Sequence, residues 1–296
     1  MLGQRIVTAV VLLALLVPAM WAEAAWPFAA LTMLLVAAAG WEWARLNGSA
    51  AAAALGSGVL LLVVCLATWP MAVQGRVPAT LWVGASVLWV MGGAWALRQG
   101  VEGWRRSPRW LTWPVGMLAL WVAWMALVAA QTRSLSFLLS VLCLVWVADI
   151  AAYFGGRAWG RRKLAPAISP GKSWEGVWSG FVGVLLLSWG WVALEGSGAL
   201  QGVIQGASPN FSAQPPAQGV ASLFSQLFGR YGVAWGVCLL ILLAGMSVVG
   251  DLFESLVKRA AGAKDSSRLL PGHGGVLDRI DALLPIFPLA LALVSS

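Results

Sequence analysis

The sequence predicts an all-α polytopic membrane protein of about nine transmembrane helices, with a polar cavity opening to the cytoplasmic side. Three observations predict it. Hydrophobic residues fill 60% and charged residues 10% of the 296 positions, where a soluble domain runs near a quarter charged. Apolar stretches of about 17 to 25 residues, enough to cross a hydrocarbon core, recur along almost the whole chain. Basic residues gather in the segments between alternate stretches, the asymmetry that orients membrane helices.

Taken in order, the expected spans cover 6–21, 26–45, 51–73, 79–97, 111–130, 135–154, 176–194, 233–253 and 280–295. The first follows Arg5 and ends near Ala22-Glu23-Ala24, so it also imitates a signal peptide with a small-residue cleavage site. Cleaved or not, the next span enters from outside. Trp21, Trp26, Trp41, Trp43, Trp110 and Trp113 lie near span ends, as interfacial belts require. Trp82, Trp89, Trp121, Trp124 and Trp146 fall within spans, where they read as packing residues. With the N-terminus inside, only Arg76, Arg133 and Arg230 of the basic residues face outward. The outer segment 195–232, with Gln214-Pro215-Pro216 and many Gly and Ser residues, reads as a flexible loop.

The formal net charge of +8 does not point to nucleic acid. Its basic residues sit in short loops between apolar spans, where lipid headgroups account for them. Cys65, Cys143 and Cys238 all fall inside spans without metal-ligand spacing and read as small packing residues, with no disulfide implied.

Ionisable groups beside membrane spans are costly and mark function by default. Asp149, Asp251, Glu254, Asp278 and Asp281 all fall near inner span ends, at a similar depth on one side. Asp251, Ser255 and Lys258 recur at i, i+4 and i+7 and share a helix face. Asp278 and Asp281 share another, so two helix ends joined by 254–277 bring Asp251 towards Asp278 and Asp281. Hard carboxylate oxygens beside Lys and Arg suit Mg²⁺ and a polyphosphate. Structural ion pairs with Arg259, Arg268 and Arg279 are the competing reading. Glu23, Glu42, Glu102 and Glu195 lie apart from this group and read as interfacial or solvated.

Two blocks carry a family resemblance. The segment 255–281 contains Ser255, Lys258, Arg259, Lys264, Asp265, Pro271, His273, Gly274, Gly275, Asp278, Arg279 and Asp281, and it resembles the signature of phosphatidate cytidylyltransferases. Gly250-Asp251-Leu252 just upstream is similar to the family as well. The second block, from Ala148-Asp149 through Tyr153-Phe154-Gly155-Gly156-Arg157 to Ser169-Pro170-Gly171-Lys172-Ser173-Trp174-Glu175-Gly176, resembles the family's inner loop. Together they cover roughly 145–285, and before them only the string of spans is similar. Ile150-Ala151 departs from many relatives without touching a charged position. Gly171-Lys172-Ser173 imitates the end of a phosphate loop, but that pattern needs Gly where Pro166 stands. The stretch 169–172 reads instead as a turn presenting Lys172 to a phosphate, or as a surface basic loop held by lipid phosphates. Around His273, the glycines let backbone N–H groups approach an anion. The imidazole itself reads equally as a turn stabiliser and as a phosphate donor.

The resemblance implies transfer of a cytidylyl group from CTP to phosphatidic acid, in a multi-pass protein of the bacterial inner membrane. It implies a division into membrane helices over 1–130, about five of them, and a catalytic region over 131–296 with cytoplasmic loops 155–175 and 254–279. Asp251 and Asp278 are the expected Mg²⁺ ligands, with Asp281 as a further ligand or a partner behind them and a second cation left open. Lys258 is placed with them at the reacting centre. Lys172, Arg259, Lys264 and Arg279 would hold phosphates, with Ser169, Ser255, Asp265, His273, Gly274 and Gly275 lining the same site. Asp149 would orient a basic residue or complete the cation site. A homodimer is open; nucleic acid is not a partner. The rivals are an ion-coupled transporter, which needs carboxylates near mid-bilayer on a path open to both sides, and a CTP-dependent polyprenol kinase. A CDP-alcohol phosphotransferase would need several aspartates along one helix, which are not found.

Overall fold

The computed structural model describes residues 2–22, 24–200 and 221–295. Ten helices and one hairpin make up the described chain. They are α1 (Leu2–Trp21), α2 (Trp26–Leu46), α3 (Ala51–Val73), α4 (Ala79–Arg106), α5 (Arg109–Arg133) and α6 (Leu135–Trp159), then strands β1 (Lys163–Ala165) and β2 (Ser169–Ser173). After these come α7 (Trp174–Gly196), α8 (Leu223–Ala260), α9 (Leu277–Ile280) and α10 (Leu283–Ser295).

Every expected span is helical, and seven described helices, α2 to α8, are long and apolar enough to cross a membrane. The first and last are shorter: the apolar part of α1 is Ile6–Trp21, and α10 has 13 residues, about 20 Å at 1.5 Å per residue. α10 is nonetheless the centre of the bundle. Leu284 to Leu291 are all buried, and α4, α5, α6 and α8 pack around them. Two helices outrun their expected ends through a break at a positive-φ glycine, α4 at Gly100 and α8 at Gly232. The segment expected as a loop over 195–232 is therefore helical from Leu223, where the Ser222 hydroxyl accepts from Ser225 N. Its centre, 201–220, lies outside the described residues, as does Glu23.

Helix pairs form where small residues let backbones meet. A Cβ on Gly176 or Gly180 of α7 would stand 2.8 Å from Ala152 O or 3.0 Å from Ala148 O of α6. Three indole N–H groups of α5 find acceptors on neighbouring helices, as buried tryptophans usually do. Trp113 and Trp121 of α5 donate to Ser57 and Thr68 of α3, and Trp124 donates to Ala29 O of α2. Trp43 is not a belt residue as expected: it is buried, donates to Trp113 O and stacks at 6.0 Å on Phe253 of α8. Trp146 departs in the other direction, 44% exposed on the lipid-facing side.

Candidate active site

Where α8 crosses the start of α10, Gly250 leaves no room for a side chain: a Cβ there would stand 2.5 Å from Asp281 O and 3.0 Å from Pro285. That close crossing brings Asp251 within electrostatic reach of Asp281. From the other side, the β1–β2 hairpin delivers Lys172, whose Nζ lies 2.6 Å from Asp251 Oδ2. The stretch expected as a turn over 169–172 is instead strand β2, paired antiparallel with β1. Strands of three and five residues carry too little alternation to be read from sequence. Glu175 ties the hairpin down by accepting from Arg161 N and Arg162 N at 3.1–3.2 Å. Asp149 on α6 completes this group, near both Asp251 and Lys172. Ser255 donates to Asp251 Oδ1 at 3.3 Å from one turn along the shared face.

A second group adjoins the first. Lys258 reaches Asp278 Oδ1 at 2.6 Å and also pairs with buried Glu254. The other oxygen of Asp278 accepts from Ser266 N at 2.9 Å, Ser266 Oγ at 2.8 Å and Gly275 N at 2.7 Å. Burial would raise the carboxyl pKa of Asp278, but the Lys258 ammonium and the N–H groups of Gly275 and Ser266 outweigh it and hold the value at about 2. The anion that the Gly275 N–H approaches is thus Asp278, and Asp278 is drawn to Lys258 rather than towards Asp251.

The remaining expected residues lie around this centre with different attachments. Arg259 donates to Ile168 O and Ala263 O, and Arg279 donates twice to His273 O, so both brace loops from exposed positions. His273 closes its turn through the backbone, donating to Leu270 O, between Gly272 and Gly274 with φ of 77° and 82°, a conformation that suits only glycine. Its ring Nδ1 is buried with no hydrogen-bond partner among the described residues. Lys264 and Asp265 line a separate hollow of about 570 Å³ with Arg45, Ser266, Ser267 and Arg268. Ser169 sits half-buried on β2 opposite Ala165.

One residue was misread. Glu42, expected at an interface or in solvent, is fully buried and accepts four hydrogen bonds from the signature segment: Ser267 Oγ at 2.5 Å, Leu277 N at 2.7 Å, Val276 N at 3.0 Å and Ser266 Oγ at 3.1 Å. The signal was present, because an ionisable side chain inside an apolar run marks function by default. Glu195 is also more engaged than expected, accepting from Ser136 Oγ and Ser222 N, whereas Glu102 is exposed beside Arg105.

Charge defines what the arrangement can bind. Asp149, Asp251, Glu254, Asp278 and Asp281 gather around Lys172 and Lys258 beside a basic rim. Among the described residues no three acidic, histidine or cysteine side chains are arranged to hold one metal ion unaided. The donor set nevertheless fits Mg²⁺, which takes one or two carboxylates and completes its shell with waters and substrate phosphates.

Comparisons with known proteins point the same way. The model of the cytidylyltransferase family matches residues 3–296. A protein of Pseudomonas aeruginosa named phosphatidate cytidylyltransferase is 36% identical over 301 residues, covering 99% of this chain and 97% of its own length. Proteins of the same name from Haemophilus influenzae and Thermotoga maritima are 41% and 36% identical over 53% and 51% of this chain, spanning 44% and 46% of their own lengths. A match over nearly every residue, together with both motif blocks meeting at the Lys172–Asp251 ion pair, makes this chain a member of the cytidylyltransferase family.

Proposed function

We propose that the protein transfers the cytidylyl group of CTP to phosphatidic acid, giving CDP-diacylglycerol and pyrophosphate at the inner face of a bacterial plasma membrane. The observation that carries the reading is the ion pair of Lys172 with Asp251, which joins the two motif blocks in one polar site at the ends of apolar helices. A phosphate oxygen of the lipid attacks the α-phosphorus of CTP; the new P–O bond forms as the bond to the bridging oxygen breaks, and pyrophosphate leaves with that electron pair. Two phosphate groups must approach each other, so positioning and charge neutralisation supply most of the rate, and no covalent enzyme intermediate is needed.

Lys172 and Lys258 are held ready by carboxylates and turn to phosphate oxygens as substrates arrive, with Lys264, Arg259 and Arg279 completing the basic rim. Asp251 and Asp281, with Asp278 alongside, would hold Mg²⁺, which when bound neutralises phosphate charge. Asp149 keeps Lys172 oriented. The lipid reaches the site from between helices without leaving the bilayer, and the N-terminus lies in the cytoplasm.

Detergent-purified protein given CTP, phosphatidic acid and Mg²⁺ is expected to release pyrophosphate and CDP-lipid in equal amounts, and a chelator to stop it. A CTP-dependent kinase would release CDP instead. Asp251→Asn and Asp278→Asn are each expected to lower kcat by at least about 10³-fold in a folded protein. Near-normal turnover in either would remove that residue from the site.

A further inference from the structure

Glu42 lies on α2, far along the chain from both motif blocks, yet among the described residues its carboxylate accepts four hydrogen bonds, as many as Asp278. Each of its oxygens takes one hydroxyl and one backbone N–H: Ser267 Oγ and Val276 N on Oε1, Ser266 Oγ and Leu277 N on Oε2. No cation pairs with it among the described residues. A Cβ on Gly275 would collide with both Glu42 Oε1 and Ser266 Oγ, so the glycine of the signature is what lets the carboxylate in.

Ser266 is the hinge of the argument. Its hydroxyl lies 3.1 Å from Glu42 Oε2 and 2.8 Å from Asp278 Oδ2, and a hydroxyl has one proton to give. Two carboxylates therefore share one donor, and the backbone N–H of the same residue also points at Asp278. Moving Glu42 moves Ser266 and the 275–277 turn together, and both of those hold Asp278 against Lys258.

We propose that Glu42 is a positioning residue for cytidylyl transfer: it clamps the 266–277 segment so that Ser266 and Gly275 fix the carboxylate of Asp278. The proposal rests on the reading of Asp278 as part of the reacting site. Glu42 itself touches no substrate. Its loss is expected to lower kcat far more than it raises the KM values for CTP and lipid, because Lys172 and Arg259 are held from outside the clamped segment.

The experiment is steady-state kinetics on detergent-purified variants, with unfolding midpoints measured alongside. Glu42→Gln keeps the length but replaces one acceptor oxygen by a donor facing N–H groups; kcat is expected to fall about 10²-fold, the usual cost of small misplacement. Ser267→Ala removes a donor that touches Glu42 but not Asp278, and is expected to cost about tenfold in kcat. The losses in Glu42→Gln and Ser266→Ala should be less than additive in the double variant, since the Ser266 hydroxyl is shared by Glu42 and Asp278; fully additive losses count against the clamp. Glu195→Gln, a hydrogen-bonded glutamate outside the site, should lower the unfolding midpoint without changing kcat. Folded Glu42→Gln at wild-type kcat overturns the proposal; if that variant does not fold, wild-type kcat in Ser267→Ala overturns it. Should Asp278→Asn itself turn over normally, the reading of the site fails first, and that result is separate from any measured on Glu42.

Discussion

Asp278 and Asp251 sit in the same polar site and meet different company. Asp278 is caught between an ammonium and three N–H or O–H donors, whereas Asp251 has Lys172 and one serine and a neighbouring carboxylate. The depressed pKa of Asp278 has a direct consequence for stability. A carboxyl held at about 2 when folded and near about 3.9 when unfolded stabilises the protein above about pH 4, and that contribution fades as pH falls towards 2. The stability difference between wild type and Asp278→Asn is therefore expected to stay level from about pH 8 to about pH 5 and to shrink below about pH 4, read from unfolding midpoints in detergent. A difference that instead grew in favour of the wild type as pH fell through neutrality would show a raised pKa and a weaker hold on the carboxylate. Asp251, Lys258 and Asp278 were legible because their types and spacing announce themselves. Glu42 carried the signal of an ionisable group inside an apolar run, but its partners lie 224 to 235 residues away, so its position alone did not say what it holds.

At the scale of elements, the site depends on two close approaches. One is α8 over the start of α10 at Gly250; the other is α7 against α6 along Gly176 and Gly180. Adding a methyl at Gly250 pushes against backbone oxygen and a proline ring, which cannot swing aside as a long side chain would. Gly250→Ala is expected to destabilise the fold by about 1–3 kcal/mol and to cut kcat by at least about tenfold, through the separation of Asp251 from Asp281. A variant with normal turnover would show that this crossing does not set the site. Helix existence was readable along the whole chain from apolar length. Ends were not: α4 and α8 run past the point where polarity suggests a stop, because a single glycine break lets a second helical piece continue at the membrane surface. The hairpin escaped notice because Ser169-Pro170-Gly171-Lys172 has the composition of a turn, and its strand character comes from pairing with 163–165.

For the whole molecule, the proposed orientation, drawn from charge asymmetry, puts the face bearing Lys172, Lys258 and Lys264 on the inner side. This orientation predicts a labelling pattern. With Cys65, Cys143 and Cys238 replaced by alanine, an impermeant maleimide added to intact spheroplasts should modify Arg76→Cys between α3 and α4 and spare Arg268→Cys until the membrane is opened. The reverse pattern would invert the topology. Assembly follows a similar logic of sides and order. α10 comes after every helix it touches, and its buried face is the surface on which α4, α5, α6 and α8 converge. The earlier helices also pack directly on one another, α6 on α7 and α2 on α3 among them, and α10 adds the apolar core between four of them. The last helix therefore also carries the final acidic group into place, since its start packs against Gly250 beside Asp251.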